Sequence, residues 1–248
     1  MRKLIIILCC IISTSVIADD LSDRKVKIER METKISNEAQ QRKLKSEKIL
    51  VLQNVPINRN LPYIEDEKEI VLRTKKEIAL RALSLLVVAV KGEGLEQQIV
   101  EVLVKKYDLK KHFSPVESAF INNKAPSQND RVQFTWRYEA AWTLLWALGY
   151  VSELGVPADI CDVPAAVTFM QERTKDQFIN EAKLRPIGAI LDESDLIYRY
   201  HWAVVDARIN NQSVPSGLNP GVVQERHYAL NWLIGYMGQA WDDISTDT

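Results

Sequence analysis

The sequence predicts an all-α protein: a single compact helical domain with a central buried helix at about residues 132–150, preceded by a charged N-terminal helical arm. Three observations carry this reading. From Glu65 onward, apolar residues recur at three- and four-residue spacing, the period of one helix face. Helix starts carry capping residues and prolines, as at Ser114-Pro115 and Asn219-Pro220. No alternating apolar and polar run bounded by turns marks a strand.

The N-terminus reads as an export signal. Arg2 and Lys3 precede an apolar stretch from Leu4 to Ile12, and Val16-Ile17-Ala18 offers small residues for cleavage after Ala18. A lipoprotein reading would use Cys10, but Cys9 stands where a small residue is expected. Residues 1–18 are therefore assigned to a signal peptide, and the mature chain to the periplasm or the medium. Cleavage leaves 230 residues, 30 basic against 33 acidic, and one cysteine, Cys161. An exported chain with one thiol has no internal disulfide, so packing must hold the fold. The slight acidity offers no field for nucleic acid. No membrane span follows the signal, since the most apolar stretch, residues 82–90, is far shorter than about 20 residues.

Residues 19–54 are rich in charge and poor in aromatics, which reads as a solvated helical arm through which a protein partner could bind. Asn54-Val55-Pro56 and Leu61-Pro62 mark a linker, and residues 55–248 form the domain proper. Its first helix spans residues 66–91 and ends at Gly92 and Gly94, and a second covers 95–106. Ser114-Pro115-Val116-Glu117 is a capping box with proline at the first helical position.

Residues 132–150 (VQFTWRYEAAWTLLWALGY) are apolar almost all round, the mark of a buried helix. Arg137 and Glu139 fall on different sides of it, so each needs a partner on another helix. Residues 195–210 carry a stripe of Asp195, Arg199, Asp206 and Asn210, read as a solvated face with an i,i+4 pair, while His201 and Arg208 lie among apolar residues. Residues 220–237 place Arg226 near the middle of a broad apolar arc, with Glu225 and His227 toward its margins. A guanidinium there must be paired, with Glu139 or a terminal aspartate as the expected partner, because desolvating an unpaired charge costs several kcal/mol. Trp241 reads as an anchor docking the tail, with its acids meeting arginines.

The tracts TWRYEAAWTLLWALGY (135–150), ICDVP (160–164), LIYRYHWAVVDAR (196–208), ERHYALNWLIGYM (225–237) and WDDISTDT (241–248) resemble the bacterial family catalogued as domain of unknown function 4272. The likeness runs from about Lys45 to Thr248. It implies no reaction or cofactor, but it singles out Arg137, Glu139, His201, Asp206, Arg208, Glu225, Arg226, His227, Asn231, Asp242, Asp243 and Asp247.

Those residue types permit two kinds of function. Glu139, His201, Glu225 and His227 are candidates for a buried acid–base site, as a hydrolase or lyase would need. The remaining network residues are Arg137, Asp206, Arg208, Arg226, Asn231, Asp242, Asp243 and Asp247. Arginines neutralising carboxylates would fix helix register without turnover, which makes an exported non-catalytic binding or accessory protein the favoured reading. Cys161 at a helix start reads as a small buried residue in preference to a nucleophile. No metal or cofactor is expected. The sequence has no HExxH, paired CxxC, EF-hand loop or GxSxG elbow, and Gly92-Glu93-Gly94 is no phosphate loop.

Overall fold

The computed structural model describes residues 37–248, and those residues are all helix, turn and loop. The expected signal peptide and the arm up to residue 36 lie outside the described residues. Ten α-helices follow in order: α1 Asn37–Leu52, α2 Lys75–Glu93, α3 Gln97–Lys106, α4 Pro115–Asn122, α5 Gln128–Thr135, α6 Arg137–Ala147, α7 Val163–Gln171, α8 Lys175–Glu181, α9 Ile187–Ile209 and α10 Pro220–Leu233. Short 3₁₀ turns at Pro215–Gly217, Tyr236–Gly238 and Trp241–Asp243 complete the chain.

Helix α2 is the spine. Every residue from Ile78 to Gly92 is buried, and the helix packs on both α5 and α6. It starts later than its apolar pattern suggests because Thr74 caps it, accepting from the Glu77 N–H while Glu77 accepts from the Thr74 N–H. Gly94, left-handed at φ 109°, ends it. Gly92 lets α5 approach: a Cβ there would lie 2.9 Å from the carbonyl oxygen of Arg131.

The expected helix at 132–150 is two helices. The chain breaks at Trp136, so α5 has no buried residue while α6 buries nine of its eleven. The Trp136 indole sits against Gly221 at the start of α10, where a Cβ would come within 2.5 Å of the ring. Tertiary packing of one large ring on one small residue thus accompanies a break that local periodicity does not announce.

The charged segment also departs from expectation. Over residues 37–52 it is a docked helix, α1, lying along α9 and burying Ala39, Arg42, Lys43, Ser46, Glu47 and Leu50. Lys43 Nζ donates to the carbonyls of Arg59 and Leu61 (2.6 and 2.8 Å), so the ammonium leaves water with partners supplied. Residues 53–74 are turn and extended chain, with Val55 and Leu61 in the core.

The tail docks as expected. Trp241 and Ile244 are buried, the Trp241 ring packs edge-on against Tyr228 and Trp232, and the Arg81 guanidinium lies 4.9 Å from its centroid. Asn231 Nδ2 donates to the Ser245 carbonyl at 2.8 Å. The apolar arc of the last helix stops sooner than expected: α10 ends at Leu233, Gly235 turns left-handed, and Met237 is exposed.

Candidate functional site

Three helices, α6, α9 and α10, meet around the charged residues singled out by the sequence. Capping positions them: Asn219 accepts from the N–H groups of Gly221 and Val222 with Pro220 in the first turn, and this sets the rotation of α10. Consecutive residues Glu225, Arg226 and His227 then face three neighbours.

Glu225 meets Arg137 on α6, which donates Nη1 to both carboxylate oxygens at 3.1 and 3.0 Å. Burial pushes the Glu225 carboxyl up, against the pull of the Arg137 charge. The guanidinium also lies 5.1 Å from the Tyr228 ring centroid, which links it to the docked tail. Beside this pair, Arg81 on α2 binds Glu117, a buried carboxylate that also closes the α4 capping box.

Arg226 is 3 % exposed and faces Glu139, which is 2 % exposed. Its Nη1 donates to the Gly155 carbonyl at 2.9 Å. Glu139 Oε1 accepts the Cys161 N–H at 2.5 Å, leaving Glu139 Oε2 and Arg226 Nε buried without a hydrogen-bond partner. Burial raises the Glu139 carboxyl, and the Cys161 N–H and the Arg226 charge partly counter it. Glu193 on α9 faces the same guanidinium and is likewise raised by burial. Two carboxyls share one guanidinium here, so protonating one of them relieves the charge excess.

His227 turns to α9, where His201 Nδ1 lies 2.8 Å from His227 Nδ1 with the rings nearly perpendicular. Burial lowers both imidazoles, His201 to about 4 and His227 to about 3, with the Arg208 charge adding to the first and the facing imidazole to the second.

Asp195 and Arg199 form the most deeply buried ion pair in the described residues, joined at 2.9 and 2.7 Å and exposed by 0 and 2 %. The solvated face expected there is covered by α1, and Lys43 adds its charge to the pair. Asp206 is half-buried and bonded to Asn210, and Arg208 is exposed. Asp243 and Asp247 are also exposed. Asp242 does meet the core, but its Oδ2 accepts the Val116 N–H at the start of α4, with no arginine involved.

Sequence reasoning named Arg137, Glu139, Glu225, Arg226, the two histidines and Asn231, but it joined neither Arg137 to Glu225 nor His201 to His227. The expected Arg226–Glu139 pair is two facing groups whose hydrogen bonds go to the Gly155 carbonyl and the Cys161 N–H. It missed Arg81–Glu117 and Glu193, and it read the i,i+4 pair Asp195–Arg199 as solvated when it is buried. Their spacing was visible, but they are buried where α1 docks on α9 and the following loop crosses, with the Pro62 carbonyl accepting from Arg199 Nη2 at 3.3 Å. Cys161, read as a small buried residue, is buried, and that burial together with the Glu139 charge pushes its thiol well above the usual range.

Among the described residues no cluster of three or more His, Cys, Asp or Glu side chains is placed to hold a metal. No described helix is long and apolar enough to cross a membrane. Comparison with curated proteins and with solved structures returned no match. The family described as Domain of unknown function (DUF4272) matches over residues 42–244, a span that takes in α1 from Arg42 onward, the helical core and the tail through Ile244, and the chain belongs to that family.

Proposed function

We propose that the chain is an exported, non-catalytic helical binding or accessory protein of the cell envelope, in which the internal charges set helix register. The observation that carries this reading is what the acid–base candidates face. Glu225 is clasped by Arg137, Glu139 by the Cys161 N–H, and each histidine by the other. Groups committed to one another hold helices in place, as buried pairs do elsewhere. The outward surface offers a groove of about 620 Å³ between α1 and the start of α9, lined by Glu38, Arg42, Lys45, Glu67, Gly188 and Asp192, with Arg42 paired to Glu38 and Lys45 to Asp192. Mixed charge on this scale suits a polar protein segment. Export rests on the basic start, the apolar run and Val16-Ile17-Ala18. Mass measurement of the purified envelope protein should find a chain beginning at Asp19.

One observation favours a second reading, a small-molecule hydrolase or lyase. The Glu139 carboxyl is raised and has a free Oε2, as a general acid would need. Replacing the chromosomal copy with Glu139→Gln decides between the two. At matched protein level and melting temperature, a binding protein keeps the phenotype that a deletion loses. An enzyme acting through Glu139 loses it.

A further inference from the structure

The outer face of α3 combines two features that the polar clusters do not explain. At about 100° per residue, Lys105, Val102, Lys106 and Ile99 fall on one arc, with the buried Val100 on the other side. Val102 is 63 % exposed and Ile99 45 %. A left-handed Asp108 ends the helix: the Leu109 N–H returns to the Val104 carbonyl at 2.9 Å, and the chain doubles back through exposed Lys110 and Lys111. Four exposed lysines thus sit within seven residues of a chain whose net charge is −1. Asp108, the acid between them, is bonded to Lys175 at 3.2 Å. The neighbouring groups register this field. Asp108 is lowered by the Lys175 hydrogen bond and charge and then by Lys111, and His112 is lowered by burial and then by Lys111. Glu101, at the margin of the arc, accepts from Gln97.

We propose that this face docks on an anionic phospholipid surface. Lys105, Lys106, Lys110 and Lys111 would meet headgroup phosphates, while Val102 and Ile99 enter the boundary above the acyl chains. The proposal names a partner for the binding reading and rests on it. Lysine ammonium groups beside exposed aliphatic side chains are the composition of an interfacial helix. A nucleic-acid backbone gains nothing from valine and isoleucine, and the acidity of the rest of the chain repels a long polyanion. Each lysine held near an anionic leaflet strengthens binding about fivefold, so four reach nearly three orders of magnitude at low salt.

The test is co-sedimentation of the full chain with phosphatidylcholine vesicles, with and without phosphatidylglycerol. The wild type should prefer the anionic vesicles by at least about tenfold, and salt should erase the preference. The quadruple variant K105E/K106E/K110E/K111E should lose it, and K105E/K110E/K111E, which keeps the Lys106 Nζ bond to the Gln171 carbonyl (3.3 Å), should lose most of it at an unchanged melting temperature. V102S should weaken binding without changing the salt dependence. The N-terminal segment is common to all these proteins, so differences between them report on α3. Equal binding by the quadruple variant overturns the proposal. So does absence of any lipid preference, or equal binding to a DNA duplex or to polyglutamate. None of these outcomes bears on the Glu139→Gln experiment, whose side chain lies in the core.

Discussion

His201 and His227 share one hydrogen bond through their Nδ1 atoms, 2.8 Å apart across the α9–α10 interface. One imidazole must carry its proton on Nδ1 and the other on Nε2. A first extra proton can enter at Nε2 of the donor and leave the bond intact. A second would set two N–H groups face to face, so the pair resists full protonation beyond what burial alone imposes.

Stability should therefore depend on pH through this pair. Below about 6.5 the unfolded histidines take up protons that the folded ones refuse until about 4 and about 3. The pair's contribution is whole above 6.5 and falls away as pH drops toward those values, by up to about 1.4 kcal/mol per pH unit for each histidine. Glu139, Glu193 and Glu225 act in the opposite sense: their raised carboxyls stabilise the fold below the unfolded carboxylate range, and that stabilisation is lost as pH rises through the folded values. Comparing wild type with His201→Gln/His227→Gln by urea melts between pH 7 and 4.5 isolates the histidines. The variant should show the shallower loss on acidification, and parallel curves would refute the assignment.

Breaking the Asp195–Arg199 pair should be among the costliest single changes. Arg199→Ala strands a carboxylate that is 0 % exposed, at about 3–5 kcal/mol. The double change Asp195→Leu/Arg199→Met should cost less than Arg199→Ala alone, because it removes both charges and keeps volume. Denaturant midpoints that place the double variant below the single one would show that the pair is not isolated from water.

Arg226 and Glu139 should be coupled. Arg226→Met should harm less than Arg226→Ala, since shape survives, and both should lower stability by a few kcal/mol. In a cycle with Glu139→Gln, which keeps the acceptor for the Cys161 N–H, the interaction energy should fall in the range of about 0.5–3 kcal/mol expected for facing groups. Additivity within error would mean the two charges do not sense one another.

Both ends of the described fold should matter. Trp241→Ala removes a buried indole with two aromatic neighbours and should cost about 3–5 kcal/mol. Truncation through residue 52 uncovers Asp195 and Arg199 and should lower the melting temperature by several degrees. A tail deletion from residue 241 that melts like the full chain would instead mark the C-terminus as a free peptide.

The sequence by itself determined those helix starts and stops that rest on capping groups a few residues apart. Ser114 and Glu117 close their capping box, Asn219 caps α10, and Gly94 ends α2. It also determined that Arg137, Glu139 and Arg226 need polar partners, since burying such groups without hydrogen bonds is costly, and these partners are Glu225, the Cys161 N–H and the Gly155 carbonyl. Only the tertiary structure decided which polar stripes leave water. Asp195 and Arg199 show the same i,i+4 spacing as any solvated pair, and they leave water because α1 and the loop after it, far away in sequence, lie against α9, with the Pro62 carbonyl on Arg199. The break at Trp136 is likewise accompanied by a contact remote in the chain, with Gly221, whose missing side chain makes room for the indole. Periodicity reports which face of a helix is apolar. Whether a polar face is covered depends on what packs there, and contacts between distant segments leave no mark in local spacing.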